Sequence, residues 1–466
     1  MLSYIPRRSS IILVIPIILY LVLGSCRPAP TSPTTTMPES EPESTKFGTD
    51  TPTMNATALE SLASATLRPT PLSVESLSPI ILELILGNQG FAQNGNLLAY
   101  GFEIENPNTM AVSGNEFQIL AYDANGILAG SKKENIALLL PDQRLGIADS
   151  LRLDDNQTIA QIQLQITTGD ILDLEVAPDL IVLGVNYRPS EIYNRVSGLL
   201  VNEGDIDLED IRISAIAYSR DSRIVGAGYT FLSFLPAGTE TGVDIVLTTS
   251  ELIDRVELYP RVSLPALLSS SIQRPAFSLE LGILDHGFSQ GGIEVGYGFL
   301  IANPNALHTL KNTEYRVTFF NDEDNVIAVD QGYIELLVPQ QIYGVGDHVF
   351  VDDGETVDRM EVLSRPNAYV PAIPGPILAA EKVSVITDTL GTLVRGEIIN
   401  PYQVALENVH LSAVVYDNAG QIVGGGQDWI DHIPLAGTAA AEVWVIAPGD
   451  PVVAELYASI TEIILE

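Results

Sequence analysis

Side chains that perform acid–base or nucleophilic chemistry are few and scattered in this sequence. The five histidines are His286, His308, His348, His410 and His432, and no two lie close together in the chain. A zinc site requires His or Cys ligands that converge, and the sequence has no Gly-x-Ser-x-Gly nucleophile turn or phosphate-binding glycine loop. We therefore predict that the protein is not an enzyme. A hydrolase whose catalytic side chains meet only in the fold stays open as an alternative.

Acidic residues occupy several predicted turns, where hard oxygen ligands suit calcium. The candidates are Asp322 and Asp324 in one turn, and Asp352 and Asp353 in another. Neither turn has the Asp-x-Asp-x-Asp-Gly pattern of an EF-hand loop, and acidic residues are also common in solvated hairpin turns. We expect no cofactor, with calcium as the one open alternative.

The two tryptophans, Trp429 and Trp444, are the candidates for an aromatic binding surface. Trp429 follows Gly426-Gln427-Asp428, which favours an exposed position and makes it the first candidate for ligand contact. Packing in a hydrophobic core is nevertheless the simpler expectation for each of them.

The composition argues against binding to nucleic acid. The 466 residues include 59 Asp and Glu against 23 Lys and Arg, which gives a formal net charge of −36. A protein that binds nucleic acid needs Lys and Arg to replace the phosphate counterions. Hydrophobic residues make up 46% of the chain, so it can bury several cores.

The N-terminus has the layout of a bacterial export signal. Arg7 and Arg8 precede an apolar run over residues 11–23, which is short for a membrane span. The run ends in Leu23-Gly24-Ser25-Cys26, which resembles a lipobox, and Cys26 is the one cysteine of the chain. The resemblance implies a signal peptide over 1–25 and a lipid on Cys26. It also implies attachment to the cell membrane on the extracytoplasmic side, at the cell surface or in the periplasm.

Residues 26–78 are rich in Pro, Thr, Ser and Glu and lack a hydrophobic period. Such a segment cannot bury enough apolar surface to offset its chain entropy. We predict a disordered tether.

A four-fold repeat organises the remainder of the chain. An asparagine is followed by an aromatic residue sixteen or seventeen positions later, in the pairs Asn106 and Tyr122, Asn202 and Tyr218, Asn303 and Phe320, and Asn400 and Tyr416. A longer similarity recurs at an offset close to 198 residues, for example Gly90-Phe91 with Gly287-Phe288. A two-unit block is therefore duplicated in an A-B-A-B order.

Short strand-like runs separated by Gly, Asn, Asp and Pro indicate an all-β fold. We predict four tandem immunoglobulin-like β-sandwiches. Their expected bounds are 79–176, 177–266, 276–369 and 377–466.

The last unit shows what the repeated residues do. Asn400 is expected to set a turn, and Asp417 with Gly420 to close a hairpin. The alternation in residues 409–416 predicts a half-buried strand. The aromatic residue of each repeat is the expected core anchor, and the glycines at 424–426 indicate a bulge or close packing.

This pattern resembles the FxLYD family, small β-sandwich domains of exported prokaryotic proteins. The residues that carry the resemblance are Asn400, Tyr416, Asp417, Gly420, Val423, Gly424, Ala436 and Gly437. Unit four matches best, and Ser219 replaces the aspartate in unit two. The resemblance implies an immunoglobulin-like fold outside the cytoplasm and no catalytic residue.

Together these features predict a non-enzymatic surface lipoprotein. Its sandwiches would serve adhesion, binding to the envelope, or spacing, with an envelope protein or polysaccharide as the partner. A solute- or polymer-binding accessory lipoprotein of a transport or secretion system is the first alternative.

Overall fold

The computed structural model describes residues 81–174, 178–190, 193–264, 267, 274–373, 377–389 and 391–460. The predicted signal peptide, the predicted tether and Cys26 lie outside these residues. Nearly all of the described elements are β-strands. No helix within the described ranges is long and apolar enough to cross a membrane.

The strands form four consecutive groups, which we call sandwiches A1, B1, A2 and B2. A1 contains β1 (Ile85–Asn94), β2 (Leu97–Glu105), β3 (Ala111–Tyr122), β4 (Leu128–Leu139), β5 (Arg144–Arg152), β6 (Gln161–Thr167) and β7 (Asp170–Leu172). B1 contains β8 (Leu180–Arg188), β9 (Asn194–Asn202), β10 (Leu208–Tyr218), β11 (Ile224–Leu235), β12 (Glu240–Thr249) and β13 (Arg255–Arg261). A2 contains β14 (Gly282–Gly291), β15 (Glu294–Ala302), β16 (His308–Phe320), β17 (Val326–Leu337), β18 (Ile342–Phe350) and β19 (Arg359–Pro371). B2 contains β20 (Ala379–Asp388), β21 (Gly391–Ile399), β22 (Leu406–Tyr416), β23 (Ile422–Ile433), β24 (Thr438–Val445) and β25 (Val453–Ser459).

All four sandwiches share one antiparallel strand order. The first, second and fifth strands form one sheet, which we call the 1-2-5 sheet, and the fourth, third and sixth form the 4-3-6 sheet. In B1 a short pairing of β11 with β12 joins the two sheets, and in A1 the short β7 extends the pairing of β3. The predicted all-β tandem-sandwich fold is confirmed. Each sandwich has six main strands, one fewer than a constant-type immunoglobulin domain.

The repeated asparagine fixes a buried turn. The Asn400 side-chain amide donates to the carbonyl oxygens of Val404 (2.8 Å) and Pro434 (2.9 Å), and its oxygen accepts the Tyr402 amide at 2.9 Å. The corresponding asparagine of each other sandwich is fully buried and bonds backbone atoms of two segments in the same way. A buried amide that is satisfied on both sides ties two loops together.

The predicted hairpin turn is also confirmed. The Asp417 carboxylate accepts the amides of Ala419 (2.8 Å) and Gln421 (2.9 Å). Gly420 has a φ of 78°, a conformation that side chains with a Cβ rarely adopt.

Consecutive sandwiches pack face to face. The 1-2-5 sheet of each sandwich lies on the 4-3-6 sheet of the next one, so that β1, β2 and β5 contact β10 and β11, and the same arrangement recurs at the following two junctions. The prediction of a half-buried strand over 409–416 is therefore wrong. Ala413, Val414 and Val415 are all fully buried because neighbouring layers cover both faces of the strand.

The repeated aromatic residues also differ from expectation. Tyr218 and Phe320 are fully buried, but neither belongs to the hydrophobic core cluster of its own sandwich. Tyr218 belongs to a cluster that includes Ala99 of A1, so it anchors a junction between sandwiches. Tyr122 and Tyr416 are only partly buried.

Candidate functional site at the A–B interfaces

Glycines allow the sheets of each A–B pair to approach closely. We call A1 with B1 block 1, and A2 with B2 block 2. A Cβ at Gly90 would lie 2.2 Å from the carbonyl oxygen of Ile224, and a Cβ at Gly287 would lie 2.3 Å from that of Ile422. Real Cβ atoms do not approach an oxygen so closely, so both positions require glycine. The similarity that marks the duplication in the sequence thus encodes a contact between sandwiches.

A serine hydroxyl repeats the same contact at both interfaces. The Ala148 amide of A1 donates to Ser214 Oγ of B1 at 3.1 Å. The Gly346 amide of A2 donates to Ser412 Oγ of B2 at 2.8 Å. Both bonds are buried and leave these amides satisfied.

Ion pairs surround the centre of the block 1 interface. Asp149 is 1% exposed and lies 2.8 Å from Lys132 Nζ and 3.3 Å from Arg212 Nη2 of B1. The Arg212 guanidinium lies 4.0 Å from the centre of the Tyr229 ring. Burial lowers the pKa of the nearby Arg261 to about 10, which still leaves it charged at neutral pH.

Titratable groups occupy the equivalent positions in block 2. The equivalent pairs are Asp149 and Asp347, Ser150 and His348, Lys132 and Asp330, and Arg212 and His410. Two cations of block 1 are thus replaced by a carboxylate and an imidazole. The block 2 interface therefore contains two imidazoles at positions where block 1 has Ser150 and Arg212.

The environment shifts the pKa of each of these groups. Burial, together with the nearby Asp347 carboxylate, raises the pKa of Asp330, although the Tyr297 hydroxyl donates to it at 2.7 Å. The hydrogen bond with Asp347 raises the pKa of His348. Burial lowers the pKa of His410. The pKa of His348 therefore lies above the ordinary histidine value of 6.5, and the pKa of His410 lies below it.

Sequence reasoning missed this cluster because its members come from β17, β18 and β22. The available signal was the absence of a histidine at the matching place in block 1. Gln427 bonds both the Asp347 carboxylate and the ring of His410. Gln427 of B2 thus links the Asp347 carboxylate of A2 to the His410 ring across the interface.

Both tryptophans are half exposed, at 50% for Trp429 and 56% for Trp444. The expectation of core packing is therefore wrong for both. The ring centres of Trp429 and His410 are 4.6 Å apart, so this candidate binding residue borders the titratable cluster.

The four acidic calcium candidates lie in exposed or partly exposed turns. The Asp324 carboxylate accepts a hydrogen bond from Arg359 Nε at 3.1 Å. The Asp352 carboxylate lies 3.0 Å from Arg188 Nη1 of B1. Asp322 and Asp353 are exposed or partly exposed beside them. Within the described ranges, no three His, Cys, Asp or Glu side chains are placed to hold a metal ion together.

The largest cavity that we describe is a cleft in block 1, with a volume of about 1100 Å³. We call it the A1–B1 cleft. Its lining includes Asn88, Gln89, Phe91 and Asn96 from A1, and Arg223 and Glu251 from B1. No local sequence pattern predicts this cleft, because its walls come from two different sandwiches, A1 and B1.

Block 2 narrows the equivalent cleft. Ser289 replaces Ala92, and its hydroxyl donates to the Val423 carbonyl and accepts the Gly449 amide at 3.1 Å. Pro448 lies against Gly291. The remaining cavity, beside Gly287, Phe288 and Ile422, has a volume of about 430 Å³.

Comparison with known proteins adds little to this geometry. No family model matches the chain, and no curated protein matches it. Among the solved structures that match is a β-glucuronidase from glycoside hydrolase family 2, with 8% sequence identity. The match covers 79% of this chain and 75% of that chain, with a TM-score of 0.15, too low to support an argument about fold or activity.

Proposed function

We propose that the protein is a non-enzymatic, lipid-anchored surface protein that holds its sandwiches in fixed orientation as a spacer and binding module of the cell envelope. The observation that carries this proposal is the face-to-face packing at all three junctions between sandwiches. Separating two sheets would expose buried apolar strands, so the packing disfavours independent motion of the sandwiches.

The B1–A2 junction supports the same view with polar contacts. The Gly242 amide donates to Thr318 Oγ1 at 3.0 Å, and the Gly242 carbonyl accepts Arg316 Nε at 3.0 Å. Arg188 of B1 lies 2.9 Å from Asp244 of its own sandwich and 3.0 Å from Asp352 of A2. Such bonds require one relative orientation of the two sandwiches.

The N-terminal sequence supports the proposed location. The lipobox-like Leu23–Cys26 supports a lipid anchor, and the FxLYD-like repeats are typical of exported domains. The strongly acidic composition suits a soluble, exposed surface.

A binding role for an envelope polymer or solute is the second candidate. The A1–B1 cleft favours it, because this space lies between two domains, where ligand sites often occur.

The location and the partner are tested together by crosslinking in intact cells. We expect the protein to fractionate with membranes and to capture an envelope component. We expect the Cys26→Ala protein to lose membrane attachment once its signal segment has been cleaved. Retention of the processed Cys26→Ala protein in the membrane would contradict the anchor.

A further inference from the structure

We propose that the A1–B1 cleft binds a neutral oligosaccharide. This inference rests on the proposed binding role and names its ligand class. The cleft volume of about 1100 Å³ exceeds the roughly 300–1,000 Å³ that is typical of small-molecule pockets. It is therefore large enough for more than one sugar ring.

Unpaired amides give the cleft its chemistry. The side chains of Asn88 and Gln89, which are exposed, and of Asn96, which is partly buried, line it and form no hydrogen bond to any other residue that the structure describes. Each amide offers two donors and one acceptor. Neighbouring sugar hydroxyls, which both donate and accept, match such groups.

The charges of the cleft disfavour an anionic ligand. Arg223 makes two bonds to the Glu251 carboxylate, at 2.7 and 3.2 Å, so its charge is already neutralised. This contact lowers the pKa of Glu251 and keeps it ionised. Asp155 adds a further carboxylate to the lining. Uronates, phosphates and sulfates would meet net negative charge.

One aromatic side chain supplies an apolar surface among these polar groups. Phe91 lines the cleft and is only partly buried. The C–H face of a sugar ring packs well against such a ring. Gln93 also lines the cleft, but its side chain is already hydrogen-bonded: it donates to the carbonyl oxygens of Gly95 and Gln157 and accepts from the Ile159 amide. We therefore assign it a structural role.

The test is calorimetric titration of the full-length protein in detergent with neutral hexasaccharides of glucose, mannose and N-acetylglucosamine. We expect at least one to bind, and Asn88→Ala with Gln89→Ala to weaken it about tenfold or more, since each lost bond costs about 1 kcal/mol. The matched control is Asp285→Ala with His286→Ala, the equivalent pair in block 2, which should leave the affinity unchanged.

Two results would overturn the proposal. One is no binding of any of these sugars; the other is equal or tighter binding of a hexagalacturonate. An unchanged unfolding midpoint of the double variant shows that it folds. If none of these sugars binds but crosslinking captures an envelope protein, the oligosaccharide proposal fails while the proposed surface-binding function stands.

Discussion

At the A1–B1 interface Asp149 lies between two cations, whereas the equivalent Asp347 of A2 lies near a second carboxylate and two histidines. Two backbone contacts are the same in both blocks. A glycine of the A sandwich lies against the first residue of a B strand, and a serine hydroxyl of the B sandwich accepts a hydrogen bond from a backbone amide of the A sandwich. The comparison shows that the close approach of the sheets sets the geometry. The surrounding side chains differ between the blocks, and so do the clefts at the edge of each interface.

The largest effect is expected from Gly90→Val and its counterpart Gly287→Val. A side chain at either position meets a backbone carbonyl oxygen that cannot move aside. We expect the free energy of unfolding of each variant to fall by more than about 3 kcal/mol, which is above the usual cost of overpacking a core. Urea unfolding measures this loss. Gly282→Ala is the control, because its nearest contact would be an ordinary 3.7 Å; equal losses in all three would refute the interface role.

The next effect is expected from Asp149→Ala. It leaves Arg212 without its carboxylate and Lys132 with only Glu134, and should cost about 3 kcal/mol, the lower end for breaking a buried pair. Asp347→Ala should cost less than about 1 kcal/mol, because it also removes repulsion of Asp330. Chemical denaturation of both variants at neutral pH gives the comparison. Similar losses would show that the two interfaces do not differ electrostatically.

A smaller, pH-dependent effect is expected from Asp330→Asn. The pKa of Asp330 is raised in the folded protein, so stability falls as the pH rises from the ordinary value of 3.8 through the folded value. The variant should therefore be more stable than the wild type at pH 7, by about 1 kcal/mol or less. This gain should vanish once the pH drops below the ordinary value. Thermal unfolding across pH measures it, and a gain that does not change with pH would contradict the assignment.

The smallest effect is spectroscopic. Protonation of His410, 4.6 Å from Trp429, should quench the indole fluorescence. Because burial lowers the pKa of His410, the midpoint should lie below the ordinary value of 6.5. The difference in emission between the protein and Trp429→Phe isolates this signal. A midpoint at or above 6.5 would show that the ring is solvated.

Much of the fold is readable in the sequence, since turn residues and the repeat act locally. Asn400, Asp417 and Gly420 make the turns expected of them, because their side chains bond nearby backbone. The packing of one sandwich on the next was not predicted, although a signal was present. Residues 413–415 form an unbroken apolar run, which is typical of a strand covered on both faces.

The candidate sites were less readable. Neither the A1–B1 cleft nor the titratable cluster has a local motif, because each joins strands from two sandwiches. Trp429 illustrates the limit. Its strand pattern does not say which face is covered, and only the packing shows it to be half exposed.

The fixed orientation of consecutive sandwiches is tested most directly by distances between spin labels. Cys26 is the one cysteine, so Cys26→Ser provides a background for labels at Asn125→Cys with Asp221→Cys in block 1. The corresponding turns of block 2 take labels at Glu323→Cys with Ala419→Cys. We predict one narrow distance distribution for each pair, broadened by Gly90→Val only in block 1. Broad distributions in the unmodified interfaces would contradict the account.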